Sequence, residues 1–338
     1  MTRRSGNPFI GLNAGDKLDL EPGDRFGRAG HLWAQAVIDA LILAWAARRP
    51  LLVRGEAGSG KSQIARAAAA VLRCGTPFVE VIHPRFDALD LLYQEDTVRR
   101  LADANVKQLD PTNESYVRKG ALWQAIEATG ADGPTPVLLI DEIDKADADV
   151  PNALLDVLGN RSFTVPPLGG RTVTAGSDRL PLIVITTNEE RELPAAFVRR
   201  CAVLNLNPPD GKDAFMQWLD SRGRVHAHLH VEDAARALAA GQVYADRENS
   251  LRAGYPPVGL AEYIDLLTAL HELTRDEPKA GRAAAQMDRL RRIGAYALVK
   301  NADQDQRRPP VGAQATDEPA GGPDSDAPAD PETGDGLR

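Results

Sequence analysis

Short, unbroken apolar runs recur along the first two thirds of the chain, and segments with helical periodicity separate them. The runs predict five β-strands, at residues 51–54, 78–82, 136–140, 182–187 and 202–206. Strands that are apolar on both faces are typical of a parallel sheet covered by helices on both sides. The pattern therefore predicts a doubly wound α/β domain with a parallel sheet over residues 31–210.

Helical periodicity predicts the other elements. One helix is predicted over residues 31–48, where Trp33 and Leu41 mark one apolar face, and an alanine-rich helix is predicted at about residues 61–73. From residue 211 onward the periodicity is helical only. This change predicts a small all-α domain over residues 211–300.

The two ends of the chain lack any such periodicity. Residues 1–30 are rich in Gly, Asp and Arg, and a flexible N-terminal arm is predicted there. Residues 301–338 hold nine Asp or Glu, three Lys or Arg and six Pro. A segment of that composition cannot bury enough apolar surface to fold, so it is predicted to be a disordered acidic tail.

Charge and composition exclude several classes of protein. The net charge is −8 and residues 301–338 carry −6 of it, so the first 300 residues are near neutral at −2. A near-neutral body argues against a protein that binds nucleic acid through a basic surface. Two cysteines cannot build a disulfide framework, and no apolar run is long enough to span a bilayer. We expect a cytoplasmic protein that has no membrane partner.

A glycine-rich segment follows the first predicted strand and precedes the alanine-rich helix. It matches the phosphate-loop pattern at every fixed position and reads Gly55, Glu56, Ala57, Gly58, Ser59, Gly60, Lys61 and Ser62. Glycines let backbone N–H groups wrap a phosphate chain, and the following helix points its positive dipole end at the anion. Lys61 would neutralise phosphate charge and Ser62 would ligate Mg²⁺, so ATP and Mg²⁺ are the predicted ligands.

Two adjacent carboxylates end the third predicted strand. Asp141 and Glu142 follow four apolar residues, at the sheet edge where open α/β sheets bind ligands. Asp141 would hold Mg²⁺, and Glu142 would polarise the attacking water. Adjacent acids are common at strand ends, but eighty residues after a phosphate-loop lysine the pair predicts a hydrolytic site.

Two further candidates carry weaker signals. Asn188 follows the fourth predicted strand and could hold the attacking water or a γ-phosphate oxygen, although an Asn there also caps turns. Arg199 and Arg200 end a short predicted helix just before the fifth strand. Arginines are favoured near helix C-termini for electrostatic reasons alone.

The four motifs, in this order and followed by an all-α region, resemble those of AAA+ ATPases over roughly residues 31–300. The phosphate loop corresponds to Walker A, and residues 137–142 correspond to Walker B. Within AAA+ the chain resembles the MoxR-like group. That closer match is carried by Asp90-Leu91-Leu92-Tyr93, Gly120-Ala121-Leu122-Trp123 and Glu192-Leu193-Pro194, with a helix-2 insert at 94–120 and a hairpin at 163–174.

The resemblance implies roles for residues and partners. Asn188 would be sensor 1, and Arg200 would be the arginine finger that reaches a neighbouring subunit, with Arg199 as the second choice. It also implies ATP hydrolysis by a homo-oligomeric ring, a hexamer, which remodels or activates a protein client. MoxR-like proteins commonly work beside a protein with a von Willebrand factor A domain, so the resemblance implies such a partner.

One departure from the family pattern concerns the lid, where relatives often place a sensor-2 arginine. Residues 256–262 hold no basic side chain, and Arg252 lies nearby but outside the motif. Three alternating histidines, His226, His228 and His230, would share one face of a strand and suggest a metal, but no cysteine accompanies them. A half-exposed stretch without a metal is the favoured interpretation.

Two other functions fit the same motifs. One is a nucleic-acid motor or clamp-loader-like protein, although the 163–174 hairpin offers only Arg171 for phosphate contacts, so nucleic acid is not the expected partner. The other is a nucleotide-dependent scaffold in signalling or defence that hydrolyses little. The presence of Glu142 argues against an inactive site.

Overall fold

The computed structural model describes residues 6–23, 25–129, 133–175 and 180–298, with side chains up to residue 294. The described β-strands are β1 (Lys17–Leu20), β2 (Ala29–Leu32), β3 (Leu51–Arg54), β4 (Phe78–Val81), β5 (Tyr93–Glu95), β6 (Val117–Lys119), β7 (Val137–Asp141), β8 (Ser162–Val165), β9 (Arg171–Thr174), β10 (Leu182–Thr187) and β11 (Ala202–Asn205). The described α-helices are α1 (Gln35–Ala47), α2 (Lys61–Leu72), α3 (Thr97–Asn105), α4 (Ala121–Glu127), α5 (Asp149–Asn160), α6 (Ala195–Val198), α7 (Lys212–Gly223), α8 (Asp233–Arg252), α9 (Leu260–Leu273) and α10 (Lys279–Leu298).

Five of these strands form one parallel sheet in the order β11-β3-β10-β7-β4. All five strands predicted from the sequence lie in it, each within one residue of its predicted bounds. Because every pairing is parallel, the carboxyl ends of all five strands meet at one edge of the sheet. Crossover helices on both faces complete the predicted doubly wound architecture.

The apolar runs are explained by burial on both faces of the sheet. Along β7, Leu138 and Ile140 belong to one hydrophobic cluster, whereas Val137 and Leu139 belong to a second cluster. All four side chains are fully buried. Alternate residues of a strand point to opposite faces, so a strand covered on both sides must be apolar throughout.

The predicted all-α domain is present as helices α7 to α10. Its apolar residues form a third hydrophobic cluster, in which Phe215, Tyr263 and Leu267 are almost fully buried. Gly223 on α7 allows close packing, because an added Cβ would lie 2.9 Å from Leu267 and 3.0 Å from Tyr263. We call these four helices the lid.

The N-terminal segment differs from the flexible arm predicted for residues 1–30. In its described part, β1 and β2 pair as an antiparallel hairpin, and Phe9 is fully buried against the edge of Trp45. This hairpin also corrects the helix predicted over residues 31–48, because His31 and Leu32 end β2 and the helix begins at Gln35. Pairing with β1 fixes these residues as strand, and the sequence of β2 itself has no alternation of polar and apolar residues that would indicate it.

The hairpin predicted at 163–174 is present, since β8 and β9 pair antiparallel from Ser162 opposite Thr174 to Val165 opposite Arg171. Among the described residues, none of the helices is long and apolar enough to cross a membrane. The acidic tail predicted for residues 301–338 lies outside the described residues.

Candidate active site

The glycine-rich loop between β3 and α2 is a cradle at the carboxyl edge of the sheet. Gly58 and Gly60 have φ values of 72° and 93°, which side chains with a Cβ rarely adopt. The hydroxyl of Ser59 is buried and has no hydrogen-bond partner within the described part of the chain. Since α2 begins at Lys61, its first N–H groups face the loop, and an anion there would satisfy them.

Lys61 is 6% exposed and makes three hydrogen bonds. Its Nζ donates to the carbonyl oxygens of Gly55 at 2.8 Å and Glu56 at 2.7 Å, and to Oδ1 of Asn188 at 2.7 Å. Burial lowers the pKa of Lys61, whereas Asp141 and other nearby carboxylates oppose that shift. All three acceptors are neutral, so a phosphate oxygen would be a stronger partner for this ammonium group.

Asp141 ends β7 and lies beside hydroxyls from two other elements. Ser62 Oγ donates to its two carboxylate oxygens at 2.9 and 3.0 Å, and Thr186 Oγ1 donates to Oδ1 at 2.5 Å. Mg²⁺ binds oxygen ligands such as hydroxyl and carboxylate groups. The structure therefore brings the two predicted metal ligands, Ser62 and Asp141, together as a pair of oxygen ligands that fits Mg²⁺.

Glu142 directly follows β7 and has a left-handed backbone conformation, with φ of 60°. Its N–H donates to Thr186 Oγ1 at 2.9 Å, and its carboxylate accepts from Lys145 Nζ at 2.5 Å. This hydrogen bond raises the pKa of Lys145. The Nδ2 atom of Asn188 lies 3.4 Å from the other carboxylate oxygen. The carboxylate thus lies beside Asn188 and, through it, close to Lys61.

Two site residues were missed by the sequence reasoning. Asp144 is 1% exposed, and its Oδ2 accepts from the backbone N–H groups of Asn188 at 3.2 Å and Glu190 at 2.9 Å. Thr186 connects Asp141 to Glu142, as described above. The available signal was the third acid of the Asp141-Glu142-Ile143-Asp144 run and the hydroxyl two residues before Asn188.

Arg199 and Arg200 do not join this cluster. They follow α6 and directly precede Cys201 and β11, and both side chains are exposed. Ala202 of β11 is level with Leu51, the first residue of β3. The two arginines therefore lie at the amino edge of the sheet, opposite the edge that holds the glycine-rich loop.

A cavity of about 530 Å³ opens from the loop toward the N-terminal hairpin and the lid. His31 lines it, and burial, together with the positive charge of Arg222, lowers the pKa of His31 to about 4. His226 and His228 also line the cavity, but they lie in the turn between α7 and α8 rather than on a strand. Among the described residues, no group of three or more His, Cys, Asp or Glu side chains is placed so that it could hold a metal ion.

The lid contacts the loop directly. Ala261 lies so close to Gly58 that an added Cβ there would be 2.6 Å from the Ala261 Cβ. Arg247 of α8 forms an ion pair with Glu56, which lies in the loop. Arg252, which the sequence places near the lid motif, pairs with Glu248 on its own helix and is 74% exposed.

Comparisons with known proteins agree with this arrangement. Residues 50–201 match the family model of the AAA domain (dynein-related subfamily). The chain is 31% identical over 178 residues to the chaperone protein ClpB of Rhodopseudomonas palustris, which is 53% of this chain and 17% of the relative. It is 28% identical over 252 residues to ClpB of Lactiplantibacillus plantarum, which is 69% of this chain and 26% of the relative. The chain thus spans about a quarter or less of the length of these curated relatives.

Among solved structures, the chain is similar to NtrX from Brucella abortus in complex with ATP. The TM-score is 0.44 at 16% identity, and the match covers 76% of this chain and 54% of that one. A second NtrX structure, in complex with ADP, has a TM-score of 0.41 at 15% identity, and the match covers 73% of this chain and 52% of that one. Residues 50–201 are thus similar to the AAA domain, and this match includes the glycine-rich loop and the carboxylates at the end of β7.

Proposed function

We propose that this chain binds and hydrolyses ATP as a AAA+ ring protein of the MoxR-like kind, and that it remodels or activates a protein partner. The observation that carries the proposal is the cluster at the carboxyl edge of the sheet. Lys61 is hydrogen-bonded to Asn188, and Asn188 lies beside the carboxylate of Glu142. Asp141, the residue before Glu142, is hydrogen-bonded to Ser62, the residue after Lys61. Such a cluster suits phosphoryl transfer, in which catalysis is mostly positioning and charge stabilisation.

The phosphate chain of ATP would replace the present acceptors of Lys61. Backbone N–H groups of the loop, residues 55–62, would bind the phosphate oxygens, and the buried hydroxyl of Ser59 would gain a partner. Ser62 and Asp141 would hold Mg²⁺ through their oxygens. Bound Mg²⁺ would supply positive charge against the β- and γ-phosphates.

Glu142 would orient the attacking water and accept its proton. In the structure its carboxylate is engaged by Lys145 at 2.5 Å, so one oxygen remains for water beside Asn188. Asn188 would contact the γ-phosphate and report its presence. Asp144 would fix the backbone of Asn188 in that position through the two N–H groups it accepts.

The proposal also includes an oligomeric ring and a protein client. Exposed arginines at the amino edge of the sheet suit a finger that serves a neighbouring copy in a hexamer, with Arg200 as the first choice and Arg199 as the second. The curated relatives are named chaperone proteins, which favours a protein client over a small molecule. A partner with a von Willebrand factor A domain follows from the MoxR-like resemblance alone.

The nucleic-acid alternative receives little support. The β8–β9 hairpin offers a single basic side chain, Arg171, which lies 3.4 Å from the carboxylate of Glu114. A charge already paired with a carboxylate is a poor phosphate ligand. A nucleotide-dependent scaffold that hydrolyses little remains the second alternative. A measurement of ATP turnover by the wild-type protein would decide between this scaffold and the proposed ATPase.

The proposal is tested by separating binding from turnover. Lys61→Ala should abolish nucleotide binding, because the loop loses its only ammonium group, whereas Glu142→Gln should keep ATP bound and block its hydrolysis. Binding is measured with a fluorescent ATP analogue and turnover by phosphate release. Lys107→Ala, an exposed lysine on the insert, is the matched control and should behave as the wild type. Equal loss of ATP affinity in the Lys61 and Glu142 variants would contradict the assigned roles.

The Glu142→Gln variant, which should keep ATP bound, can also be used to identify the client. A Glu142→Gln protein held with ATP should retain the protein that it remodels, since release would require hydrolysis. Co-purification is compared with the Lys61→Ala protein, which cannot enter the ATP state. A partner enriched equally by both variants would not be a client in the proposed sense.

A further inference from the structure

A partly buried ion pair joins the lid to the glycine-rich loop. Nη1 of Arg247 donates to Oε2 of Glu56 at 2.7 Å, and Nη2 donates to Oε1 at 2.6 Å. The Arg247 side chain is 11% exposed, and the Glu56 side chain is 34% exposed. This bidentate geometry fixes both the distance and the orientation of the two groups.

Arg247 is held in place by other parts of the lid. Its guanidinium lies 5.1 Å from the ring centroid of Phe215 on α7, and Nη1 also donates to the carbonyl of Val258 at 3.2 Å, just before α9. The side chain therefore contacts two other parts of the lid, α7 and the segment before α9, as well as the loop. A displacement of the loop carboxylate must either move these elements or break the pair.

Glu56 is bonded at both of its ends. Its carboxylate binds Arg247, and its backbone carbonyl accepts from Lys61 Nζ at 2.7 Å. Lys61 in turn donates to Asn188 at 2.7 Å. A continuous series of polar contacts thus runs from the lid through the loop to Asn188. An anion that draws the ammonium group of Lys61 away releases the carbonyl of Glu56 and changes the restraint on its side chain.

The other contacts between the lid and the loop are of a different kind. Ala261 and Leu260, in the first turn of α9, meet Gly58 and Gly60 through apolar atoms. Apolar contacts have no preferred direction and tolerate small shifts. Since residues 256–262 hold no basic side chain, Arg247 supplies the directional link on this side of the loop.

We propose that Arg247 is a positioning residue that couples occupancy of the glycine-rich loop to the position of the lid through Glu56. The inference rests on the proposed function in one respect, namely that the loop binds a nucleotide. It adds the residue pair through which the lid responds to that binding. If the two side chains are coupled in this way, the effects of their substitutions on ADP affinity will not be additive.

The test measures how the lid responds to ADP in the full-length protein. Hydrogen exchange of peptides from α8 and α9 is recorded with and without saturating ADP, and affinity is measured with a fluorescent ADP analogue. The variants are Arg247→Ala, Arg247→Lys, Glu56→Gln and the Arg247→Ala/Glu56→Gln double variant. Arg252→Ala is the control, because Arg252 lies on the same helix and pairs only with Glu248 at the surface.

We expect ADP to slow exchange in α8 and α9 of the wild type and of Arg252→Ala. Arg247→Ala and Glu56→Gln should lose most of that ADP-dependent protection, Arg247→Lys should keep part of it, and the double variant should bind ADP no more weakly than the weaker single variant. Exchange in the absence of ADP reports whether each variant is folded. Arg247→Lys and Glu56→Gln keep the test decisive if Arg247→Ala does not fold.

Three results would overturn the inference. The first is a wild-type protein that binds ADP without any change in lid exchange. The second is full protection in Arg247→Ala, and the third is a double variant whose loss of affinity is the sum of the single losses. A wild-type protein that binds no nucleotide would instead refute the proposed function, and the inference with it.

Discussion

The two edges of the parallel sheet carry their polar residues in opposite ways. At the carboxyl edge, Lys61, Asp141 and Asn188 are at least partly buried, and each is hydrogen-bonded to another part of the site. At the amino edge, Arg199 and Arg200 are exposed, and neither forms an ion pair with a carboxylate in the described ranges of the chain. One edge thus holds a hydrogen-bonded cluster of polar side chains, and the other presents positive charge to the solvent.

The two edges also lie well apart. β11 has four residues, so about 13 Å of strand separates its amino end from its carboxyl end. An arginine that precedes β11 therefore lies at the edge of the sheet opposite the loop of its own chain. In the proposed function, charge stabilisation from outside the pocket would come from a second copy of the chain. The contrast between the edges therefore suits our proposal that the amino edge of one copy faces the carboxyl edge of another.

The largest expected effect comes from breaking the amino edge alone. Arg200→Ala should lower turnover by about a thousandfold, because an arginine finger stabilises the charge that develops on the transferred phosphoryl group. ATP affinity should change far less, since the loop and Lys61 are untouched. Turnover is measured by phosphate release and affinity with a fluorescent ATP analogue. Arg199→Ala is the matched variant and should retain most of the turnover.

Mixing two inactive proteins then tests whether the edges belong to different copies. A Lys61→Ala subunit has no working loop but can donate Arg200, whereas an Arg200→Ala subunit has a working loop but no finger. Mixed together, they should recover part of the activity. If mixed assemblies form and no activity returns, the finger acts within its own chain or is another residue, with Arg199 the first to examine.

A smaller effect is expected from a substitution at the carboxyl edge that disturbs the backbone of Asn188 and leaves the predicted ligands of ATP and Mg²⁺ unchanged. Asp144→Ala removes the buried acceptor of two backbone N–H groups, which should displace Asn188. We expect turnover to fall by about a hundredfold, because a misplacement of 1 Å can cost that much, and stability to fall by about 2–3 kcal/mol. Turnover and urea denaturation are the measurements.

Asp144→Asn should lose less of both, since its amide oxygen can still accept one of these hydrogen bonds. The control is Asp147→Ala, because Asp147 is 82% exposed and pairs with Arg191 at the surface. If Asp144→Ala unfolds more easily but keeps its turnover, Asp144 supports the fold without positioning Asn188.

The fold was largely predictable, because burial on both faces leaves a direct trace in the sequence. Strands β7 and β10 each begin with four buried apolar residues, and their carboxyl ends locate the site. The hairpin of β1 and β2 left a weaker trace. β1 alternates polar and apolar residues over only four positions, and β2 is held by pairing rather than by an apolar pattern. Contacts between distant segments decide its structure, and a local pattern cannot show them.

The site was predictable to the same extent. The glycine-rich loop and the Asp141-Glu142 pair are local motifs, so their positions could be assigned in advance. Asp144 and Arg247 act through partners 44 and 191 residues away, respectively. Only folding brings those partners together, so no spacing rule could identify them. The catalytic roles themselves stay predictions until the variants are measured.

The smallest expected effect concerns the wall of the cavity at the carboxyl edge, where His31 of β2 packs edge-on against Trp33 with ring centroids 4.6 Å apart. His31 is 8% exposed, and burial, followed by the charge of Arg222, lowers its pKa from 6.5 to about 4. The folded protein thus keeps His31 neutral over a range in which the unfolded chain takes up a proton. Stability contributed by the neutral ring is therefore fully present above pH 6.5 and is lost as the pH falls toward 4.

His31→Gln should remove that part of the pH dependence, which amounts to at most about 1.4 kcal/mol per pH unit and about 3 kcal/mol in total. The free energy of unfolding is measured by urea denaturation at intervals between pH 7 and pH 4 for the wild type and the variant. His226 and His228 line the same cavity, and burial lowers the pKa of both, so they add a slope of the same sign that the variant retains. The prediction therefore concerns the difference in free energy of unfolding between the wild type and the variant, which should narrow as the pH falls because only the wild type loses the His31 contribution.

Parallel curves of free energy against pH would mean that protonation of His31 costs the folded protein nothing, and that this wall of the cavity is open to water in solution. The carboxyl edge would then be less enclosed than its hydrogen bonds indicate, and the contrast with the exposed amino edge would be weaker.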